Sequence, residues 1–182
     1  MWIWLLVIVG VVAIDQLTKQ LAVAFLTRGE SVEVIPGIFQ LTYVENRGAA
    51  FGMLSDHRWI FMVISSVAIV AMLVYLWKFA PKSRWACTAL AMIIGGGIGN
   101  MIDRVYLNYV IDFLDFCAFP NVWVWVFNVA DACVCVGGGI LVVWCIVSMI
   151  AEARTAKTAK AEGDGISEGE QASEDSTETI EK

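Results

Sequence analysis

Residues 85–104 read WACTALAMIIGGGIGNMIDR, an apolar run with no charged residue until Asp103. A membrane-spanning helix needs roughly 20 mostly apolar residues. This run is long enough, and it holds its polar groups, Asn100, Asp103 and Arg104, back to one end. Three more runs flank it. Trp59 to Phe79 carries no charge until Lys78, and Asn128 to Ile150 carries only Asp131. Trp2 to Leu26 is interrupted by Asp15-Gln-Leu-Thr-Lys-Gln20. The N-terminal run has no Lys or Arg before its apolar core, where a signal peptide carries its positive region, so it reads as a retained helix and not a cleaved signal peptide.

Composition agrees. Apolar residues make up 59% of the 182 and charged residues 16%, with a mean hydropathy of +0.71. A soluble domain is nearer half apolar and a quarter charged. A disordered chain, a nucleic-acid binder and an ordinary soluble enzyme are excluded. The net charge of −6 belongs to the tail: residues 1–160 sum to +1 and residues 161–182 to −7. The expected fold is an all-α membrane protein with four transmembrane helices, about 2–26, 59–79, 85–104 and 128–150. Residues 161–182, rich in Glu, Ser, Thr and Gly, are expected to form a disordered acidic cytoplasmic tail.

Lys78, Lys82 and Arg84 crowd one connection, and Arg154, Lys157 and Lys160 follow the last helix. The excess of cations on cytoplasmic loops puts both termini in the cytoplasm. Segments 28–58 and 105–127 are then outside. Residues 31–57 hold β-branched and aromatic residues around Pro36-Gly37, the pattern of a small antiparallel sheet or cradle. Trp123, Trp125 and Phe127 suit a membrane–water interface.

Ionisable residues within membrane segments are costly and are functional candidates by default. Asp15 and Lys19 stand one helical turn apart with the acid first, the favourable order for an ion pair between helices. Asn100 and Asp103 share a face, and Arg104 is the expected partner of Asp103. The glycines at 95–97 and 99 read as packing residues that let helices approach closely. Asn128-Val-Ala-Asp131 carries a helix N-cap signature, with the acid in the first turn. Asp112 and Asp115 are three apart in an apolar stretch, and periodicity does not choose between them. Asn46-Arg-Gly-Ala-Ala-Phe-Gly52 reads as a small-residue turn.

Other chemistries fare worse. The five cysteines lie apart, without a C-x-x-C, and read as buried small apolar residues. The single histidine, His57, leaves few ligands for a metal, and none is expected. There is no G-x-S-x-G elbow and no phosphate-binding loop. Carboxylates remain. Two that face each other share a proton, so one activates water while the other donates, which is aspartic-type peptide hydrolysis. The alternative is a small proton-coupled transporter using the same carboxylates as a relay.

The blocks Asp15-Gln-Leu-Thr-Lys19, Asn46 to Gly52, Gly95 to Arg104, Val110-Ile-Asp-Phe113 and Phe127-Asn-Val-Ala-Asp131 together resemble bacterial lipoprotein signal peptidase, signal peptidase II. They occur in that family's order, across residues 10 to about 150. The resemblance implies an endopeptidase of the bacterial cytoplasmic (inner) membrane, with its active site near the outer face. Its partners would be the lipid bilayer and diacylglyceryl-modified prolipoproteins, cut just before the lipidated cysteine, and globomycin-type inhibitors are expected to bind. No cofactor and no nucleic acid is implied. By motif position Asp112 and Asp131 are the catalytic pair, chosen over Asp115. Asp15, Asn46, Asn100, Asp103, Arg104 and Asn128 are substrate-binding or supporting residues.

The cation bias makes a topological prediction. A reporter active only outside the cytoplasm should be active when fused after Arg28 or Leu107, and silent after Ser83 or Ala161. Activity at Ser83 would sink the topology with both ends inside.

Overall fold

A computed structural model describes residues 2–47, 58–79, 81–118 and 125–178. In chain order the elements are α1 (Trp2–Phe25), β1 (Ser31–Ile35), β2 (Phe39–Asn46), α2 (Arg58–Lys78), α3 (Arg84–Tyr106), β3 (Val110–Phe116), β4 (Val126–Phe127) and α4 (Val129–Glu178). Among the described residues three helices are long and apolar enough to cross a membrane: Trp2–Phe25, Arg84–Tyr106 and Val129–Thr155. The apolar part of α2, Met62–Lys78, is shorter. The chain divides into two compact units, residues 1–141 and 142–182.

In the first unit α3 is the hub. Eleven of its 23 residues are buried, whereas α1 presents many apolar side chains outward, as a helix facing lipid does. Glycine makes this burial possible. A Cβ on Gly95 would lie 2.8 Å from Val11 Cβ of α1, one on Gly97 3.1 Å from Ile69 Cδ1 of α2, and one on Gly96 would collide with the Ala130 carbonyl oxygen of α4. Three helices therefore touch α3 backbone-close along one short stretch, which fulfils the packing role expected of the glycines. The apolar core at this level is Ile8, Ile69, Leu76, Cys87, Leu90, Ala91 and Ile94.

The four strands form one antiparallel sheet in the order β1-β2-β3-β4. The β1–β2 hairpin turns at Pro36-Gly37, with Gly37 at φ +69° and Ile38 N–H donating to Ile35 O at 3.0 Å. That is the type II pattern, with proline first and a positive-φ glycine second. Sequence reading placed only the 31–57 region in the sheet. The structure adds 110–116 and 126–127, so the segment after α3 pairs with the segment after α1 in one sheet. The part of the expected sheet at 48–57, with Gly48, Gly52 and His57, lies outside the described residues, as does Trp123. A bulge in β2 between Leu41 and Val44 shifts its register against β3. The sheet seats on α1 through Ala22, Ile111 and Phe113.

The second unit departs from expectation. The chain from 161 on, expected to be disordered, continues as helix to Glu178. Its lead-in, AEARTAKTAKAE at 151–162, is rich in alanine and in straight-chain charged residues, which lose little side-chain freedom in a helix.

The glycine contacts make a stability prediction. Gly96→Val should lower thermal stability in detergent by about 1–3 kcal/mol or more, because the new side chain meets the backbone of α4. Gly138→Ala is the control: a Cβ there meets nothing within 4 Å, and the change should be neutral or slightly stabilising.

Candidate active site

The start of α4 supplies the first piece. Asn128 is its N-cap: Asn128 Oδ1 accepts from the Asp131 N–H at 2.9 Å, and Asp131 Oδ2 accepts from the Asn128 N–H at 3.3 Å. This reciprocal arrangement is a capping box with Asp in the third-residue place. It fixes the Asp131 side chain against the helix end, as the N-x-x-D spacing foretold.

Asn128 then reaches across to β3. Its Nδ2 donates to Asp112 Oδ1 at 2.6 Å and to Ile111 O at 3.2 Å. Asp112 Oδ2 accepts from Asn46 Nδ2 of β2 at 2.9 Å. From α3, Asn100 Nδ2 donates to Asp131 Oδ1 at 2.7 Å. Each carboxylate thus receives one donor on each oxygen, and a single residue, Asn128, serves both, through its side chain to Asp112 and its backbone N–H to Asp131.

Strand geometry separates the two acidic candidates. Residues three apart on a strand point to opposite faces. Asp112 is 2% exposed and lies in the polar net. Asp115 is half-buried on the other face, where Gln40 Nε2 and Thr42 Oγ1 donate to it at 2.6 and 3.0 Å. The ambiguity that periodicity left open is resolved by the segment being a strand.

Burial pushes the Asp112 carboxyl up from its usual 3.8 to about 7. The Asn46 hydrogen bond opposes this, the charge of Asp131 adds to it, and Asn128 and Lys19 oppose it more weakly. Desolvation penalises the charged form more than these donors favour it.

Below the pair lies a buried ionic layer. Lys19 Nζ sits 2.9 Å from Asp15 Oδ2, 2.8 Å from Asp103 Oδ2 and 3.0 Å from Asn100 Oδ1. Asp15 Oδ1 accepts from the Ala130 N–H at 2.9 Å, a free donor of the first turn of α4. Asp103 Oδ2 accepts from the Ile111 N–H at 3.1 Å. The expected Asp15–Lys19 pair is present. The expected Asp103–Arg104 pair is not: Asp103 points inward to Lys19, while Arg104 donates to Asn100 O at 3.1 Å. Adjacent helical residues face about 100° apart, so Asp103 and Arg104 do not both reach the same interior.

Asp15, Asn46, Asn100, Asp103, Asp112, Asn128 and Asp131 therefore all join one hydrogen-bonded net, and Arg104 touches its edge. Sequence reading missed Gln16, whose Nε2 donates to Asp103 Oδ1 at 2.9 Å and to Gly99 O at 3.2 Å. Its place three residues before Lys19, on the same helix face, was the available signal.

Comparison with known proteins follows the same residues. The family model described as signal peptidase (SPase) II matches residues 7–147. A lipoprotein signal peptidase of Halalkalibacterium halodurans is 39% identical over 158 residues, 87% of this chain and 98% of that protein. One from Caldanaerobacter subterraneus subsp. tengcongensis is 48% identical over 137 residues, 75% of this chain and 91% of that protein. A solved bacterial membrane enzyme, determined by the in meso method, superposes with a TM-score of 0.75 at 30% identity, covering 82% of this chain and 90% of that one. The transporter alternative finds no support among these relatives. With a family match spanning helices, sheet and polar net alike, the chain belongs to the signal peptidase II family of peptidases.

Proposed function

We propose that this membrane peptidase is an aspartic endopeptidase. It removes the signal peptide from diacylglyceryl-modified prolipoproteins, cutting just before the lipidated cysteine. The observation that carries the mechanism is Asn128, whose side chain donates to the Asp112 carboxyl while its backbone N–H donates to the Asp131 carboxyl, so that one residue holds both acids. Two carboxylates this closely coupled do not both ionise readily, and one proton is held by the pair.

Asp112, 2% exposed, is the more desolvated member and carries the proton, and Asp131, less buried and in the first turn of α4 where an anion is favoured, is the base. Asp131 takes a proton from water as the water oxygen bonds to the scissile carbonyl carbon. Asp112 gives its proton to the carbonyl oxygen. When the tetrahedral adduct collapses, the C–N bond breaks, the Asp131 proton passes to the leaving amine, and Asp112 regains a proton from the adduct hydroxyl. Leu114 and Phe116 follow Asp112 on its face of β3. Phe116 lies 5.1 Å from Phe39 and stacks on Phe127 at 5.7 Å, an apolar shelf suited to an extended substrate segment.

The membrane arrangement belongs to the same proposal. With α2 as the fourth crossing, both termini lie in the cytoplasm and the sheet and dyad sit at the outer face of the bacterial cytoplasmic membrane. Water is available there, and a lipid-anchored substrate enters sideways. Asn46, Asn100, Arg104 and Asn128 would line the cleft, Asp15 and Asp103 would support it, and globomycin-type inhibitors would compete for it.

Purified enzyme given lipidated and unlipidated precursor should cut only the first. Asp112→Asn and Asp131→Asn should each lose on the order of 10²–10⁴-fold in cleavage rate with normal membrane insertion, the double variant being little worse than either single. Asp115→Asn should lose far less, since Asp115 lies on the other sheet face. An inactive Asp115→Asn beside an active Asp112→Asn would overturn the assignment.

A second expectation concerns pH. Cleavage should fall as pH rises through about 7, where Asp112 loses its proton. Stability has the same sign. A carboxyl whose folded pKa is raised binds more protons folded than unfolded between the two values, so its ionisation costs stability as pH rises through that window. Asp112→Asn should therefore melt higher than the parent at pH 8 and show little advantage at pH 4, while being inactive at both. Equal melting temperatures at pH 8 would count against a buried, charge-disfavouring site.

A further inference from the structure

We infer that Lys19 is a positioning residue of the dyad: its ammonium fixes which way round the Asn100 amide sits and thereby aims a donor at Asp131. The inference rests on reading Asp112 and Asp131 as the reacting pair.

An ammonium has three N–H donors and no acceptor. Lys19 is fully buried, and its three polar neighbours are Asp15 Oδ2, Asp103 Oδ2 and Asn100 Oδ1. Only an oxygen can face a buried cation, so Asn100 must turn its carbonyl oxygen to Lys19. The same oxygen accepts from Asn128 Nδ2 at 3.1 Å. The Asn100 Nδ2 group is left pointing at Asp131 Oδ1, 2.7 Å away. Turning this amide over would put N–H against the ammonium and an oxygen against the carboxylate, two repulsive contacts in place of two attractive ones. A primary amide, otherwise able to present either end, becomes a one-way donor.

The third N–H of the buried ammonium needs an acceptor, and Asn100 Oδ1 supplies it. Asp103 already has donors in Gln16 and the Ile111 N–H, and Asp15 has the Ala130 N–H. The contact to Asn100 adds nothing to their satisfaction, yet it determines the donor on Asp131. The Asn128 amide is fixed by other means, because its oxygen is held by the Asp131 N–H. Fixed in this way, Asn128 Nδ2 reinforces at the same Asn100 oxygen the sense that the full charge of Lys19 imposes.

The test uses the full-length enzyme in detergent or lipid with lipidated precursor. Lys19→Met combined with Asp103→Asn removes one charge of each sign and leaves the net charge of the layer unchanged, with Asp15 still held by the Ala130 N–H. The folded double variant should lose at least about tenfold in kcat with KM within about twofold. A folded double variant with the parental kcat would overturn the inference. If it does not fold, Asn100→Asp decides. That variant keeps an oxygen for Lys19 but replaces the donor with an ionisable group. The charged groups around it are Asp15 and Lys19 of α1, Asp103 and Arg104 of α3, Asp112 of β3 and Asp131 of α4. Its kcat should fall at least about tenfold at pH 7 and recover in part at acid pH, where the new carboxyl is protonated and donates again. A merely structural role gives no acid recovery, so a parental profile, or a loss independent of pH, would refute the assignment. Asp131→Asn, run alongside, separates the two layers of the argument: if it cleaves normally the dyad reading fails, and if it is dead while the double variant is unimpaired only the role of Lys19 falls.

Discussion

A single ammonium, buried to zero exposure, organises the first unit. Lys19 has no water to solvate it, so α1 and α3 must supply oxygens: Asp15, Asp103 and Asn100. Each of these in turn holds something else. Asp15 takes a backbone donor from the first turn of α4, Asp103 takes one from β3, and Asn100 reaches Asp131. Removing one partner from such a buried pair costs about 3–5 kcal/mol, because the other charge is stranded. The layer therefore sets the relative positions of four elements with little tolerance.

The glycines of α3 are the packing counterpart of that layer. Asp15 reaches the α4 backbone because Gly99 leaves it room; a Cβ there would lie 2.5 Å from Asp15 Oδ2. Gly96 lets the Ala130 carbonyl approach in the same way. Hydrogen-bond geometry and close backbone packing are one constraint here. In hydrocarbon a loosely held carboxylate would find no solvent to satisfy it, so a polar site among apolar helices must be complete or absent. Among the described residues every buried side-chain nitrogen and oxygen has a partner.

This completeness carries a functional cost at one place. Asp112 is held by two amides yet remains so desolvated that its proton affinity lies near neutrality. For the fold, a neutral acceptor of both amides would serve as well as an ionised one. For peptide hydrolysis, a carboxyl that gives and regains a proton near pH 7 is what the chemistry asks for. The scaffold beneath it, with Lys19 balancing two acids, is what tolerates a strained ionisation at its surface.

The four helices, the capping box at Asn128, the Asp15–Lys19 pair and the packing glycines were all legible in the sequence, because each rests on local periodicity. The motif blocks likewise contain every residue of the polar net, with Gln16 the one given no role, and their order identified the family. What sequence could not decide was long-range. Asp112 and Asp115 separate only once 110–116 is a strand, and that strand exists because β2, some seventy residues earlier, pairs with it. Asp103 exchanges its expected neighbour for Lys19 because burial rewards the partner across the helix interface over the one next in the chain. The acidic tail follows helix propensity in a stretch where polarity argued for disorder. Hydrophobic pattern fixes which segments enter the membrane. Which polar atoms meet there depends on helices touching through glycine, and only the tertiary structure shows that.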